Sequence, residues 1–94
     1  MIKSYRDKKT RQFAEGTFVK AFSGFDNQAT KRLAILNAAT SLDDIRALRS
    51  NHLESLTGTR NDQFSIRINK QWRVCFEWTA DNSGPNNVEI VDYH

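Results

Sequence analysis

Phe64-Ser65-Ile66-Arg67-Ile68-Asn69-Lys70-Gln71-Trp72-Arg73-Val74-Cys75-Phe76 is two alternating runs joined by a polar tripeptide. Phe64, Ile66 and Ile68 alternate with Ser65 and Arg67, and Trp72, Val74, Phe76 and Trp78 alternate with Arg73, Cys75 and Glu77. Period two places one set on each face of a strand. Asn69-Lys70-Gln71 between the runs suits a short hairpin turn. The stretch therefore predicts an antiparallel β-hairpin with one apolar and one polar face. Trp72 and Trp78 share parity with Val74 and Phe76, which assigns both to packing.

Working outward, Asp81 to Asn87, with Gly84-Pro85, reads as a second turn, and Val88 to Tyr93 as the last strand. Leu53 to Leu56 is expected to pair as an edge strand, and Ile2 to Tyr5 as a short first strand. Between these lie helical signals. Asp7 to Glu15 has Asp7 as candidate N-cap and Gly16 as its stop. Ala29, Leu33, Leu36 and Thr40 recur at helical spacing, with Ile35 and Ala39 widening the stripe, so Asp26 to Thr40 is a helix. Asp26 can cap its start. Ser41-x-x-Asp44 is a candidate capping box opening one more turn, before Ile45 and Leu48. Phe18 to Gly24 reads as a loop or helix extension that holds Phe18, Val19 and Phe22 near the core. The sum is an α+β fold over residues 1–94 as one domain: an antiparallel, mixed-edge sheet with two N-terminal helices on one face.

Composition sets the frame. A chain of 94 residues buries one core. With 38% hydrophobic and 27% charged residues it reads as globular, not disordered. It has no apolar run near the ~20 residues of a membrane span, and no apolar leader after Met1, so a cytoplasmic protein is expected. Cys75 is the single cysteine, which excludes an internal disulfide and fits a reducing compartment. On a strand it reads as a small packed side chain and not as a nucleophile. The two histidines sit in no metal-ligand spacing, so a metal nuclease is disfavoured and no cofactor is expected.

The net charge of +3 is modest, but it is unevenly placed. Arg46, Arg49, Arg60, Arg67, Lys70 and Arg73 face only Glu54 and Asp62 across the same stretch. Arginine grips phosphate through a planar fork, so this bias favours a nucleic-acid partner over a membrane. The polar sheet face carries Arg67 and Arg73, with Gln71 at the same parity and Tyr93 near it. It is either an RNA platform or a solvated sheet face. Lys8, Lys9 and Arg11 form a second basic cluster, on the first helix. It suits ribosomal RNA contact or plain solvation.

Four segments carry a family resemblance: Met1-Ile2-Lys3-Ser4; Leu53-Glu54-Ser55-Leu56-Thr57-Gly58-Thr59-Arg60; the hairpin Phe64 to Phe76 with its Gln71-Trp72-Arg73; and Val91-Asp92-Tyr93-His94. In this order, over essentially the whole chain, they resemble the HigB toxins of the RelE superfamily. The resemblance implies a type II toxin that cuts translated mRNA in the ribosomal A site and so inhibits translation and growth. It also implies metal-independent attack by the ribose 2′-hydroxyl. The implied partners are the ribosome, mRNA and a HigA-like helix-turn-helix antitoxin, with operator DNA reached only through the antitoxin complex. The chain offers no helix-turn-helix of its own.

The resemblance also suggests roles. Such chemistry needs a base, cations for the phosphorane and an acid for the leaving 5′-oxygen. His94 matches the family's terminal histidine and suits proton exchange near neutral pH. Asp92 could orient His94 or an arginine, or accept the proton. Tyr93 could stack on a base or bond the phosphate. Arg73 is the candidate transition-state clamp, or else a cross-strand partner of Glu77 or Glu89. Gln71, Lys70, Arg67 and Arg60 are candidate RNA contacts. Some family members carry histidine where this chain has Glu54, and lysine where it has Thr57. Glu54 could serve as the base. His52, on the same face if the strand extends that far, could replace the missing imidazole or lie idle on the surface. Each loss is expected to slow the reaction by roughly ten- to a thousandfold. The alternative is a catalytically weak or inactive ribosome- or RNA-binding growth inhibitor of the same fold.

Overall fold

The computed structural model describes residues 1–56, 63–79 and 84–92. The hairpin forms as its alternation dictates. β2 (Gln63–Arg67) and β3 (Trp72–Glu77) pair antiparallel, with Arg67 opposite Arg73 and Phe64 opposite Phe76. The turn is fixed by Asn69, whose side-chain oxygen accepts from the backbone N–H of Gln71 and of Trp72, each at 2.8 Å. β1 (Glu54–Ser55) adds to β2, and β4 (Asn86–Asp92) to β3, giving a four-stranded antiparallel sheet in the order β1-β2-β3-β4.

The pairing of β3 with β4 shifts register between Cys75 and Glu77. Cys75 pairs with Glu89, but Glu77 pairs with Asn86, so β4 carries one extra residue. Asn87 absorbs it with a left-handed backbone (φ 50°), which asparagine tolerates better than most residues. The bulge lets Val88 and Ile90 face the core while Asn86 turns to the opposite face beside Glu77.

The expected first strand is reduced to one parallel bridge, Tyr5 with Val88. Backbone bonds from Lys3 to Pro85 and from Arg6 to Val88 flank it. The pairing stops there because α1 (Lys8–Ala14) starts and covers the strand. Buried Thr10 takes over the edge, its hydroxyl accepting from the Ile90 N–H at 3.0 Å. A buried edge donor thus gains a partner without another strand. The segment needs Gly84, since a Cβ there would collide with the Met1 carbonyl oxygen.

α1 ends in a Schellman motif: Thr17 N–H bonds the Gln12 carbonyl, Gly16 N–H bonds that of Phe13, and Gly16 takes φ +97°. Asp7 sits at the N-cap position, but its side chain makes no capping bond. A 3-10 turn, Lys20–Phe25, leads into α2 (Asp26–Ala38). Asp26 is the first residue of α2 rather than its cap, and its carboxylate bonds the Asn27 N–H. α3 (Leu42–Ala47) opens on the expected box, with the Ser41 hydroxyl accepting from Asp44 N–H. The Asp44 carboxylate reaches back to the N–H and hydroxyl of Thr40. Those bonds, the backbone one first, hold Asp44 below the ordinary aspartate range.

Ala29, Leu33, Leu36 and Ile45 from the helices pack on Phe64, Ile66, Ile68, Val74, Phe76, Trp78, Val88 and Ile90 from the sheet. Phe22 and Phe25 clamp Trp72, with ring centroids 5.9 and 4.8 Å away. One correction concerns Phe18. It is 75% exposed, whereas Phe22 is 3% exposed, so only the residue in the 3-10 turn enters the core. The other face of the sheet presents Ser65, Arg67, Arg73, Cys75 and Glu77 in the observed register, with Ser65 and Arg73 themselves buried.

Candidate functional site

Two cross-strand rows organise the open face. Glu54, Ser65, Cys75 and Glu89 lie side by side across the sheet; Arg67, Arg73 and Val91 form the next row. Arg67 and Arg73 are directly opposed, which for like charges is unfavourable unless the side chains diverge. They diverge. Arg67 turns to the hairpin end, where its Nε donates to the Asn69 carbonyl at 3.2 Å. Arg73 leans diagonally toward β1.

Arg73 is the most constrained cation of the face, at 8% exposure. Its Nε donates to the Ser65 hydroxyl at 2.8 Å, and one terminal nitrogen (Nη2) to the His52 carbonyl at 2.6 Å. The other (Nη1) lies 3.8 Å from the exposed Glu54 carboxylate. The alternative cross-strand partners of Arg73, Glu77 and Glu89, bond other residues. Glu77 accepts from the Gln63 amide, and Glu89 lies 3.8 Å from Arg6. Glu77 stands four residues along the same strand from Arg73, about 13 Å away at strand rise.

His52 does not lie on a strand with Glu54. It closes a short 3-10 turn, Arg49–Asn51, in the left-handed conformation (φ 46°). Its imidazole therefore does not share a strand face with Glu54, because β1 starts at Glu54. What His52 contributes is its carbonyl. That carbonyl is set by buried Asn51, which donates to the Ile45 carbonyl at 2.9 Å and accepts from Arg32 at 2.6 Å.

Gln71 lies in the turn, and its amide donates to Asp92 at 3.0 Å. Asp92 pairs with Trp72 and so shares its parity, not that of Arg73. Lys70 is exposed in the turn. Lys8, Lys9 and Arg11 are exposed on α1 and on none of the four strands of the sheet. Arg60, Tyr93 and His94 lie outside the described residues. The structure thus brings Arg73, Arg67 and Glu54 onto one face; Gln71, expected there, lies in the turn and bonds Asp92, which has the parity of Trp72. Among the described residues no cluster of histidine, cysteine, aspartate and glutamate is arranged to hold a metal ion. No helix among them is long and apolar enough to cross a membrane.

Sequence reasoning missed Ser65 and Asn51. Ser65 was legible in principle. A turn centred on Lys70 fixes the hairpin register, and Ser65 is then the diagonal neighbour of Arg73, within reach of a long side chain. Asn51 carried no such signal.

Residues 3–94 match the family described as the RelE-like toxin of the type II toxin–antitoxin system HigB. The chain belongs to the HigB toxins. It is 35% identical over 80 residues to Toxin HigB-1 of Vibrio cholerae, covering 83% of this chain and 84% of that one. It is 33% identical over 60 residues to an uncharacterized protein of Haemophilus influenzae, covering 64% of this chain and 57% of that protein. The α+β architecture agrees with a RelE-like fold, and membership of a HigB family implies an antitoxin partner.

Proposed function

We propose that this HigB-family toxin is a metal-independent endoribonuclease that cuts mRNA on the translating ribosome in the cytoplasm. The observation that carries the reading is the open sheet face, where a fixed guanidinium and a carboxylate stand together. In the proposed reaction the ribose 2′-oxygen attacks the adjacent phosphorus while a base takes its proton. The P–O5′ bond breaks, and an acid protonates the departing oxygen. The products are a 2′,3′-cyclic phosphate and a 5′-hydroxyl.

Arg73 stabilises the charge that grows on the phosphoryl oxygens; a cation fixed in advance needs no reorganisation during the reaction. Glu54 is the base, since its carboxylate is exposed and adjoins the guanidinium. His94 is the acid, and Tyr93 stacks on a neighbouring base. Asp92 and Gln71 form a polar rim that lines the message beside the hairpin. Arg67, Lys70 and Arg60 bind backbone phosphates. Lys8, Lys9 and Arg11 contact ribosomal RNA at a separate surface. A HigA-like antitoxin restrains the toxin and carries the complex to operator DNA.

One observation favours a slower variant of this reading. Glu54 sits 3.8 Å from the nitrogen that would meet the phosphate, so the carboxylate competes with substrate for Arg73. A catalytically weak growth inhibitor is the corresponding second reading. The test is purified protein added to translating ribosomes, with the mRNA fragments analysed for cyclic-phosphate ends. Arg73→Lys keeps the charge but loses the fork, and should slow cleavage about a hundredfold. Stalled translation with intact mRNA would instead establish the binding-only reading.

A further inference from the structure

We infer that Ser65 is the positioning residue that aims the Arg73 guanidinium at the scissile phosphate. The inference rests on the phosphate-binding role proposed for Arg73. An arginine side chain has four rotatable bonds and strong entropy against any single pose. On an open sheet face it would normally sweep through solvent. Here, among the described residues, it is held by bonds to two different elements.

The first point is the Ser65 hydroxyl on β2, fully buried and 2.8 Å from Nε. The second is the His52 carbonyl, 2.6 Å from Nη2. Nε and Nη2 lie on one edge of the planar guanidinium. Fixing that edge fixes the plane, and the plane decides where Nη1 points. It points toward Glu54, on the open side of the sheet. The His52 carbonyl is itself locked, because Asn51 beside it is buried and bonded to both Ile45 and Arg32. The cradle is therefore rigid before substrate arrives.

A serine on a central strand is otherwise a poor choice, since strands favour β-branched and aromatic residues. A buried hydroxyl also costs free energy unless it is bonded. Its bond to Nε offsets that cost, and the offset depends on Arg73 alone among the bonds observed for its side chain. The two residues are a functional pair, and the hydroxyl acts through the guanidinium. It makes no contact with RNA of its own.

The test compares the full wild-type chain with Arg73→Lys, alone and combined with Ser65→Ala, and with the single variants Ser65→Ala, Ser65→Thr and Ser65→Val. The last two are matched in shape and differ in the hydroxyl. Proton exchange at the Arg73 Nε–H is followed by NMR, the signal being assigned by its loss in Arg73→Lys. Cleavage of mRNA on translating ribosomes is measured with kcat and KM separated. Ser65→Ala and Ser65→Val should speed Nε–H exchange and lower kcat by about 10- to 100-fold, the effect of misplacing a catalytic group by about an ångström. KM should change little. Ser65→Thr should restore both protection and kcat, and Ser65→Ala should add no further loss in an Arg73→Lys background. If wild type cuts mRNA and Ser65→Ala cuts it equally fast, the inference alone is overturned. If threonine and valine depress kcat equally, the effect is one of packing and the inference is again overturned. A folded wild type that leaves mRNA intact overturns the ribonuclease proposal, and this inference with it.

Discussion

Replacing Phe22 by alanine tests how the fold supports the hairpin that carries Arg73. Phe22 is 3% exposed and touches three rings: Phe13 at 5.5 Å, Phe25 at 5.9 Å and Trp72 at 5.9 Å between centroids. Truncating a buried phenylalanine costs about 3–5 kcal/mol, combining lost transfer energy with the cavity left behind. Three edge or tilted ring contacts place the residue in the upper part of that range. A domain of this size has roughly 5–14 kcal/mol in total, so about 4 kcal/mol removes a large fraction. The melting temperature should fall by about 16–32 °C. With a urea m-value of about 1.3 kcal/mol/M, the midpoint should drop by about 3 M. Phe18 provides the matched control. At 75% exposure its removal should cost no more than about 0.5 kcal/mol. The assay is urea unfolding of both variants, followed by tryptophan fluorescence. Equal losses for Phe18→Ala and Phe22→Ala, or a loss below about 1 kcal/mol for the latter, would refute this account of the core.

Three further outcomes follow from named contacts. Asn51→Ala removes the partner of the Ile45 carbonyl and of Arg32, and should destabilise by about 2–3 kcal/mol in the same unfolding assay, because a buried carbonyl is left unsatisfied. Asp44 has a folded-state pKa below its ordinary value of 3.8, so its support of α3 is present above that value and is lost as pH falls through the lower, folded one. An acid titration of stability should be shallower below pH ~4 in Asp44→Asn than in wild type. Gly84→Ala drives a methyl group into the Met1 backbone, and should cost about 1–3 kcal/mol while speeding amide exchange at Lys3 and Val88.

Much of this fold is written in local patterns. The alternation through Phe64 to Phe76 and the polar tripeptide at its centre define the hairpin and its register. Gly16 stops α1 because only a left-handed residue completes the Schellman motif there. What stayed hidden depends on contacts distant in sequence. Phe18 and Phe22 look alike in a segment without periodicity; the 3-10 turn that separates their fates packs Phe22 and Phe25 against Trp72. The N-terminal segment stops pairing after Tyr5 because Thr10, five residues later, satisfies the strand edge instead. For the site, alternation placed Arg67 and Arg73 on the open face, and resemblance pointed to Glu54. Among the described residues Arg73 meets a carboxylate from β1, a serine hydroxyl and a backbone carbonyl, and not the cross-strand alternatives Glu77 and Glu89. A backbone carbonyl has no residue type to read. The left-handed turn at His52 is likewise hard to read: histidine is enriched in that conformation, but most histidines adopt others, so the residue type alone does not signal it.

The central claim is that this toxin breaks phosphodiester bonds in messages while they are being translated. Mapping mRNA 5′ ends in cells that express the chain without an antitoxin tests it most directly, with a His94→Ala version run in parallel. New 5′-hydroxyl ends should appear inside open reading frames, in step with the codon frame, and should largely vanish in the variant. Growth arrest with transcripts intact, or cuts spread equally over untranslated RNA, would contradict the claim.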